Sequence, residues 1–381
     1  MAPRVLVDAT AVPADRGALG RYVDGLLSAL DGQGADLVVV CQRSEEARYA
    51  ALAPRARVVA GPATLAHRAF RLAWEQSGLP SVARQVGAEV IHHPYYTVPL
   101  RAPCPTVVTV HDVTHFSEPD AHDPIRAGHL KSATRTAARR ATRLIVPSNA
   151  TRNELVRLLG VDPARIDVAY HGVDRRVFHR PTEEEVARVS ERLGLHGRPY
   201  VAFLGALEPR KNVPNLIRGW AAAVAEMPEP PALVLAGGAG GRDDEVDAAL
   251  ATVPMHLRVV RPGYLSWSSL PGFLGGALVA ALPSRGEGFG LPVLEAMACG
   301  APVLTTRCSS LPEVGGDAVA YTEPDAASIA AALRDLIGDP GRRAALAEAA
   351  FRRAERFSWA ESAQAHLAAY ERAAAVSPVR G

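Results

Sequence analysis

Short apolar runs alternate along the chain with longer stretches whose apolar residues recur every three or four positions. The short runs have the length of buried strands, and the longer spacing is that of one helix face. In the first half, the predicted strands are Val5–Val7, Leu37–Val40, Arg57–Val59, Val90–Ile91, Thr106–Val110 and Leu144–Val146. The predicted helices there are Gly20–Leu30, Thr64–Val86 and Arg126–Ala141. This alternation predicts a parallel sheet covered by helices on both faces.

The alternation loosens between His171 and Pro181 and then begins again. The second half has predicted strands at Tyr200–Leu204, Leu233–Ala236, Leu257–Val260, Leu278–Leu282, Val303–Leu304 and Ala318–Tyr321. Its predicted helices are Glu183–Leu193, Pro214–Glu226, Asp325–Ile337 and Arg342–Arg356. A chain of 381 residues also exceeds one comfortable core. We therefore predict two α/β domains, residues 1–180 and 181–358, followed by an amphipathic helix at about 359–376.

Composition narrows the functional classes only slightly. Lys and Arg number 42 and Asp and Glu number 40, so a net charge of +2 gives no reason to expect a nucleic-acid partner. The four cysteines form no CxxC pair, which argues against a metal or disulfide framework. The first residues lead straight into a strand, and no apolar run approaches the ~18 residues of a membrane span. These features predict a cytoplasmic protein.

The segment from residue 278 to 304 carries the strongest functional signal. An apolar run that ends at Leu282 is followed by a loop with three glycines and by a helix that begins at Pro292 and ends at Gly300. This order places the loop at the carboxyl end of a parallel strand and directs the helix N-terminus at whatever the loop holds. Free N–H groups and a partial positive charge there suit a phosphate or diphosphate.

Two carboxylates lie in this segment and have different predicted roles. Glu287 is in the flexible glycine loop, where an acid can bind sugar hydroxyls. Glu295 is predicted in the first helical turn, where it can accept hydrogen bonds from a ribose diol. The structural alternative is an ordinary surface loop followed by a glutamate that the helix dipole stabilises.

Two adjacent cations, Arg210 and Lys211, follow the predicted strand Tyr200–Leu204 and precede a helix. Arg offers a planar fork and Lys a point charge, which together suit a diphosphate. A solvated basic turn is the alternative interpretation.

In the first half, a glycine-rich turn with Gly17 and Gly20 lies before the first helix, and such a turn can bring N–H groups to a phosphate or an acceptor. His111 and Asp112 lie at the carboxyl end of the strand Thr106–Val110, which faces the crevice in a doubly wound sheet. A lone histidine is more often structural than functional, so both interpretations stay open.

These motifs resemble those of the family 4 retaining glycosyltransferases. Glu287 and Glu295, with seven residues between them that include Gly-Phe-Gly-Leu-Pro, are similar to the E-x7-E signature of that family. Segments 15–22, 146–149, 171–174, 204–212 and 260–265 resemble further family motifs in the same order, with Ala18 where a second glycine is usual. The resemblance covers essentially the whole chain. It implies the GT-B architecture, in which two Rossmann-like domains face each other across a cleft.

The resemblance also implies a reaction. A hexosyl group would move, with retention of anomeric configuration, from a nucleotide-diphosphate sugar to a hydroxyl of a glycan, lipid-linked or small-molecule acceptor. Segments 74–76 and 309–314 resemble the bacterial polysaccharide and mannosyl-transfer type, which makes GDP-mannose the first expectation for the donor and a UDP-sugar the second. Such enzymes commonly need no cofactor or metal, and none is expected here.

The resemblance assigns roles residue by residue. The expected catalytic residues are His111, Asp112, Arg210, Lys211 and Glu287. The expected donor-binding residues are Gly17, Gly20, Gly205, Arg210, Lys211, Tyr264, Glu287, Gly288, Phe289, Gly290, Leu291 and Glu295. On the acceptor side we expect His93, Tyr95 and Ser148, although Ser148 fits the cap of the next helix equally well. In GT-B enzymes the final helix crosses back onto the first domain.

A basic stripe is predicted on the helix Arg126–Ala141 and just beyond it. Lys131, Arg135, Arg139 and Arg143 recur every four residues and would share one helix face. Such a stripe is usually a solvated face. The functional alternative is a peripheral contact with an anionic membrane surface or a lipid phosphate at the inner face of the cell membrane.

Two other functions fit the same fold. A GT-B sugar-nucleotide 2-epimerase would bind the donor and transform it without an acceptor. A non-catalytic sugar-nucleotide-binding subunit would bind the donor only, but the intact Glu287, Glu295, Arg210 and Lys211 argue against it. Donor hydrolysis or transfer by the purified protein separates these alternatives from the transferase.

Overall fold

The computed structural model describes residues 2–14, 16–119, 123–241 and 243–376, and these form two compact units. The first unit comprises the described residues of 1–117, 124–172 and 358–381, and the second those of 118–123 and 173–357. Residues 173–180, which the sequence analysis placed in the first domain, belong to the second unit. No helix in the described ranges is long and apolar enough to span a membrane.

The first unit is built on a seven-stranded parallel sheet with the order β3-β2-β1-β4-β5-β6-β7. Its strands are β1 (Val5–Asp8), β2 (Leu37–Cys41), β3 (Arg57–Ala60), β4 (Val90–His93), β5 (Thr106–Thr109), β6 (Arg143–Val146) and β7 (Ile166–Val168). Strand β7 was not predicted from the sequence, because it is three residues long and has the polar Asp167 at its centre.

The helices of this unit cover the two faces of its sheet. They are α1 (Gly17–Gly32), α2 (Glu46–Leu52), α3 (Arg68–Val86), α4 (Thr114–Ser117), α5 (Pro124–Arg140), α6 (Asn149–Leu159) and, at the end of the chain, α15 (Trp359–Ala374). The helix predicted from Thr64 begins only at Arg68, because residues 63–66 form a separate 3-10 turn.

The second unit has a six-stranded parallel sheet with the order β10-β9-β8-β11-β12-β13. Its strands are β8 (Tyr200–Leu204), β9 (Ala232–Ala236), β10 (Val259–Gly263), β11 (Val279–Leu282), β12 (Val303–Thr306) and β13 (Ala320–Thr322). Its helices are α7 (Glu183–Arg192), α8 (Val213–Val224), α9 (Asp243–Ala251), α10 (Leu270–Gly275), α11 (Leu291–Ala298), α12 (Leu311–Gly315), α13 (Ala326–Gly338) and α14 (Pro340–Ala354). One apolar core, which includes the fully buried Trp220, holds this unit together.

Each sheet reverses its strand order at one place. In the first unit, β1 has β2 on one side and β4 on the other; in the second, β8 lies between β9 and β11. In doubly wound sheets, ligands bind at the carboxyl ends of the strands where the order reverses. The loops after β1, β4, β8 and β11 therefore identify the two places where function is expected.

Helix α15 packs against α1 in the first unit, although it is the last helix of the chain. Two glycines allow this close approach. A Cβ atom on Gly25 would lie 2.2 Å from the Trp359 ring, and one on Gly172 would lie 2.1 Å from the Trp359 backbone nitrogen. Any larger side chain at either position would force the start of α15 away from the unit.

A chain of buried hydrogen bonds also ties α15 to the sheet. Tyr370 and His366, one helical turn apart, each bond to a side chain of the unit: Tyr370 Oη to His92 Nδ1 and Tyr22 Oη to His366 Nε2, both at 2.8 Å. Thr109 links these two hydrogen bonds into one chain, because its Oγ1 lies 2.8 Å from both His92 Nε2 and Tyr22 Oη.

The direction of this chain follows from a single carbonyl. His366 Nδ1 lies 2.7 Å from the Ser362 carbonyl oxygen, which can only accept, so Nδ1 carries the proton. With the ring neutral, Nε2 accepts from the Tyr22 hydroxyl, which in turn accepts from Thr109. His92 then donates from Nε2 to Thr109 and accepts at Nδ1 from Tyr370. Each proton thus has one position, provided that both histidines are neutral.

Burial supports this neutral state. It lowers the pKa of His366 to about 4, although the bond to Ser362 works in the opposite direction. Burial and the nearby His366 also lower the pKa of His92 well below its usual value. Both histidines therefore stay uncharged at neutral pH, and protonating either would disrupt the hydrogen-bonded chain.

The first prediction concerns acid stability. Because the folded pKa of His366 lies below the unfolded value near 6.5, its contribution is fully present above about pH 6.5 and is lost as pH falls towards 4. The difference between the folded and unfolded pKa values of His366 corresponds to about 3 kcal/mol in the free energy of unfolding. His366→Gln keeps a hydrogen-bond donor and an acceptor but has no group that titrates in this range. We expect the first unit of this variant to lose less stability between about pH 6.5 and 4 than that of the parent protein, as measured by calorimetric unfolding.

A matched control is His256→Gln, which changes an exposed histidine of the second unit. It should leave the pH dependence of the first unit unchanged. Equal pH slopes for the parent protein and His366→Gln would contradict the prediction.

Candidate functional site

The loops after β8 and β11 meet at the carboxyl edge of the second sheet. Residues 209–211 form a 3-10 turn that presents Arg210 and Lys211 side by side. Asn212 ends the turn in a left-handed conformation, with φ of 60°. Its amide donates to the carbonyl of Pro283, in the loop after β11, at 3.1 Å. The cationic turn is therefore attached directly to the loop that carries Glu287.

Glu287 bonds to both cations. Its Oε2 accepts from Arg210 Nη1 at 2.8 Å, and its Oε1 accepts from Lys211 Nζ. The hydroxyl of Ser284 donates to the same Oε1 at 2.8 Å. On the outer side, Glu208 Oε2 accepts from Arg210 Nε at 2.8 Å. The two cations and Glu287, which were predicted to have separate roles, are joined in one ion cluster.

The number of hydrogen bonds limits what Glu287 can still bind. A carboxylate oxygen has about two acceptor positions. Oε1 already accepts from Lys211 and Ser284, while the described residues provide one donor, Arg210, to Oε2. Without rearrangement, Glu287 has room for one further hydroxyl, and that hydroxyl would contact Oε2.

The charges of the cluster affect one another unequally. Burial raises the pKa of Glu287, but Lys211 and Arg210 together outweigh it and bring this pKa to about 2. For Lys211, burial and the neighbouring Arg210 lower the pKa, and Glu287 only partly opposes them. The two shifts differ because one carboxylate interacts with two cations, while each cation is repelled by the other. A second anion beside Arg210 and Lys211 would relieve that repulsion.

Helix α11 begins directly after the glycine loop. Gly290 precedes it with φ of 96°, and Gly300 follows it with φ of 72°, as expected for glycines at helix ends. Glu295 is the fifth residue of the helix, so the expected position in the first turn is wrong; it lies in the second turn. Its side chain is buried. The assignment of Glu295 to the ribose stays a prediction.

The other residues expected at the donor occupy different environments. Phe289 and Leu291 belong to the apolar core, and the Phe289 ring contacts Phe357 edge-on. Tyr264 is largely exposed, and its ring lies against Gly238, where any Cβ would be 2.6 Å from the hydroxyl. Gly205 follows β8 with φ of 151°. The structure thus places Gly205 and Tyr264 at the same carboxyl edge as the ion cluster, in the loops after β8 and β10, and Gly288 within the glycine loop.

In the first unit, the glycine-rich turn leads directly into α1. Gly17 is its first residue, with φ of 45°. Gly20 has no room for a side chain, since a Cβ there would lie 2.5 Å from Arg16 Cβ. Arg16 forms ion pairs with Glu45 and Asp24, so this cation is already neutralised.

His111 and Asp112 lie just beyond β5. The His111 Nε2 group donates to the Pro94 carbonyl at 2.7 Å, and burial lowers the pKa of this ring. Asp112 Oδ1 accepts from the backbone and hydroxyl groups of Thr114 at 3.0 and 2.7 Å. His111 is therefore held as a neutral donor to the backbone, and Asp112 stabilises the start of α4.

The three residues expected on the acceptor side lie at or just after the ends of strands of the first sheet. His93 ends β4 and is buried, Tyr95 follows it, and Ser148 comes after β6. The Ser148 hydroxyl accepts from the Thr151 backbone, so the residue caps α6. This is the structural role considered from the sequence, and a contact between Ser148 and an acceptor stays a prediction.

The basic stripe is shorter than predicted. Lys131, Arg135 and Arg139 lie on α5, but the helix ends at Arg140 and Arg143 begins β6. Arg143 bonds to Asp167 at 2.6 Å and so belongs to the sheet rather than to the stripe. A change of element after Arg140 broke the four-residue spacing.

Sequence reasoning missed several residues of these sites. Ser284 contacts the carboxylate of Glu287, and the hydroxyl of Ser310 donates to the Glu287 carbonyl at 2.9 Å. In the first unit, Asp8 ends β1 beside His93. Both Asp8 and Ser284 are polar residues at or just after the end of an apolar run, a signal that the sequence contains and that would have identified them.

Family comparisons divide the chain into the same two halves. Residues 19–177 match the family described as Glycosyltransferase Family 4, and residues 186–353 match the one described as Glycosyl transferases group 1.

Curated relatives are similar over much of the chain. O-antigen chain mannosyltransferase B of Escherichia coli is 28% identical over 283 residues, which cover 74% of each chain. D-inositol 3-phosphate glycosyltransferase of Kineococcus radiotolerans is 33% identical over 279 residues, which cover 68% of this chain and 62% of the relative. The chain therefore spans about three fifths of the length of this second protein.

Solved structures share the fold at low sequence identity. HepE of Anabaena, in complex with UDP-glucose, has a TM-score of 0.77 and 19% identity over 96% of this chain and 98% of its own. Sucrose-phosphate synthase of Thermosynechococcus elongatus has a TM-score of 0.77 and 21% identity over 98% and 99%. Together with the two parallel-sheet units, these likenesses show the GT-B fold.

The second prediction tests the ion cluster by stability. Glu287→Gln leaves Lys211 buried beside Arg210 without its main counter-charge, and breaking a buried pair in this way costs about 3–5 kcal/mol. We expect the second unit to lose roughly this much stability at pH 7, as measured by denaturant unfolding. The loss should diminish below about pH 4.5, because the parent protein then also loses the contribution of Glu287 as pH falls towards 2.

Glu208→Gln is the matched control, since it removes a more exposed carboxylate that also contacts Arg210. A partly exposed pair is worth about 0–1 kcal/mol. Equal destabilisation by the two substitutions would show that burial does not determine how much Glu287 contributes to the free energy of unfolding.

Proposed function

The chain belongs to glycosyltransferase family 4, and from this membership we propose that it transfers a hexosyl group from a nucleoside-diphosphate sugar to an acceptor hydroxyl. The main support within the chain is the cluster of Arg210, Lys211 and Glu287 at the carboxyl ends of β8 and β11. It provides two cations for a diphosphate and one carboxylate acceptor for a sugar hydroxyl.

In this proposal, the protein acts mainly through charge stabilisation and positioning. As the glycosidic bond to the donor breaks, negative charge grows on the departing diphosphate, and Arg210 and Lys211 stabilise it. The sugar becomes oxocarbenium-like, and Glu287 holds one of its hydroxyls through Oε2. The acceptor attacks on the face from which the diphosphate leaves, so the anomeric configuration is retained, and the departing phosphate takes the acceptor proton.

In this scheme no residue of the cluster acts as a nucleophile, because the remaining acceptor position of Glu287, at Oε2, binds a sugar hydroxyl. We also propose that the reaction needs no metal ion. Equal rates of donor consumption with and without a chelator would support this part of the proposal, and a chelator-sensitive rate that magnesium restores would contradict it.

We propose GDP-mannose as the first donor to test and a UDP-sugar as the second. The mannosyltransferase name of the Escherichia coli relative supports the first, and the UDP-glucose bound to HepE supports testing the second. Thermal stabilisation by GDP, UDP and ADP ranks the bases before any acceptor is known, because a ligand that binds only the folded protein raises its melting temperature.

The epimerase and the non-catalytic subunit are not favoured, since the family and the relatives are transferases. Release of nucleoside diphosphate with transfer of the sugar to an acceptor supports the proposal. Interconversion of the donor sugar without release would favour the epimerase.

The third prediction concerns the diphosphate. Arg210→Ala and Lys211→Ala should each lower kcat/KM for the donor by about tenfold or more, because a hydrogen bond to a charged group is worth about 1.5–3 kcal/mol. Initial-rate measurements of nucleoside diphosphate release test this. Arg218→Ala, an exposed cation on α8, is the control and should retain the parent rate. Full activity of the double variant at positions 210 and 211 would exclude the assignment.

We further propose that α5 lies against an anionic membrane. Arg135 and Arg139 are exposed on this helix, and Lys131 and Arg135 lie over the ring of Phe116, at 6.0 and 5.1 Å from its centre. Three large apolar side chains of the unit are also exposed: Ile125 by 84%, Phe70 by 59% and Leu100 by 55%.

These apolar side chains lie near the cations. Ile125 is in the first turn of α5, and the Leu100 carbonyl accepts from Arg140 at 3.0 Å. Burial lowers the pKa of His129 on α5, and the charges of Arg68 and Arg71, on either side of Phe70, lower it further. These two cations therefore lie near α5. Cations with exposed apolar side chains are the combination that binds an anionic bilayer surface.

The fourth prediction tests this surface. Sedimentation with phosphatidylglycerol liposomes should remove the parent protein from solution, and binding should fall with added salt. Arg135→Glu with Arg139→Glu should weaken binding by at least about tenfold, since each cation near such a surface contributes about 1 kcal/mol. Arg218→Glu, in the second unit, should have no effect. Equally weak binding of the parent protein to anionic and neutral liposomes would favour a simple solvated face.

A further inference from the structure

The strand reversal of the first sheet holds an acidic group of side chains. The register that pairs Val7 with His92 brings the next residues, Asp8 and His93, side by side at the ends of β1 and β4. This is the first-unit counterpart of the place where Arg210 and Glu287 meet in the second unit. The rule for doubly wound sheets therefore predicts a ligand here as well.

The imidazole of His93 is not satisfied by the protein. The side chain is 1% exposed, and neither ring nitrogen has a hydrogen-bond partner within the described ranges. Its Nδ1 lies 3.7 Å from Asp8 Oδ2, which is too far for a hydrogen bond. Buried polar groups are nearly always satisfied, so a group from outside the chain is expected between these two side chains.

Asp8 is held in place by its other oxygen. Oδ1 accepts from the backbone and hydroxyl groups of Thr10, at 3.1 and 2.6 Å. This leaves Oδ2 directed at His93. The carboxylate is 5% exposed and forms no ion pair with Lys or Arg among the described residues.

A second carboxylate, that of Glu75 on α3, lies near this pair. Burial raises the pKa of Glu75, Asp8 raises it further and His93 opposes both, so the three groups interact electrostatically. Thr97 donates to Glu75 Oε2 at 2.7 Å and fixes its position. The strand reversal of the first unit is thus acidic, whereas that of the second unit carries two cations.

We propose that Asp8 and His93, with Glu75 beside them, bind a hydroxyl of an uncharged acceptor and disfavour acceptors that carry a phosphate at that position. The inference rests on the proposed glycosyl transfer and names the acceptor class for it. An alcohol can donate its proton to Asp8 Oδ2 and accept one from the His93 ring, which satisfies both groups. A phosphate offers no matching donor and brings a second negative charge next to Asp8.

The experiment compares neutral and phosphorylated acceptors in matched pairs. Methyl α-mannoside is paired with its 6-phosphate, and myo-inositol with its monophosphate, at equal concentrations. Release of nucleoside diphosphate from the best donor is measured above the rate without acceptor. We expect the neutral member of at least one pair to accelerate release, with a kcat/KM at least about tenfold higher than that of its phosphorylated partner.

Substitutions then assign the effect to these residues. Asp8→Asn and Glu75→Gln keep an oxygen for Thr10 and Thr97 but remove the ionisable carboxyl group. Each should reduce kcat/KM for the neutral acceptor by about tenfold or more and narrow the preference over the phosphorylated partner. Thermal stabilisation by nucleoside diphosphate should stay at the parent level, which also verifies folding. Asp36→Asn, which changes an acid paired with Arg4 just before β2, is the control and should behave as the parent.

If Asp8→Asn does not fold, His93→Gln and Glu75→Gln provide the same test. The inference is overturned if the parent protein responds equally to both members of each pair, or to neither. Donor binding and turnover would in that case leave the proposed function intact. Retained preference in Asp8→Asn and Glu75→Gln also overturns it, because a water molecule would then be the group between Asp8 and His93. Absence of both donor turnover and nucleoside diphosphate binding would instead contradict the proposed function.

Discussion

The parallel order of both sheets is the constraint on which the rest of the structure depends. When all strands of a sheet run in one direction, their carboxyl ends lie at one edge, and loops distant in sequence meet there. Arg210 and Glu287 are 77 residues apart and yet bond at 2.8 Å, because β8 and β11 are neighbours at the point where the strand order reverses. The same geometry brings Asp8 and His93 together in the first unit.

The ion cluster of the second unit is organised before any ligand arrives. Glu287 holds Arg210 and Lys211 in place, and Ser284 and Glu208 fix the remaining atoms. The charges of two cations and two carboxylates balance, which makes burial of Lys211 tolerable. Because the two cations still repel each other, a bound diphosphate would be stabilised by both of them, and its binding would need little side-chain rearrangement. A preorganised site of this kind favours charge that develops during a reaction.

The sequence contains enough to predict the elements and the principal charged residues, but not how these residues pair. Strand length and glycine position identified β8, β11 and the loop with Glu287, because buried strands and helix ends impose local patterns. Local patterns do not specify which loops become neighbours, so the contact between Glu287 and Lys211 could not be predicted. The short strand β7 and the change of element after Arg140 were missed because tertiary pairing, rather than periodicity, determines them.

The hydrogen bonds of α15 show the same limit of prediction from sequence, because the bond between Tyr22 and His366 joins residues 344 positions apart. Amphipathic spacing predicted this helix at about 359–376, close to its observed bounds Trp359–Ala374, yet its polar residues His366 and Tyr370 face the interior. They are tolerated there because Tyr22, Thr109 and His92, from α1, β5 and β4, supply matching donors and acceptors. Exchange of any one member for an apolar residue would leave a buried group unsatisfied. The first unit is therefore complete only when the last helix of the chain has docked, after the whole second unit has been synthesised.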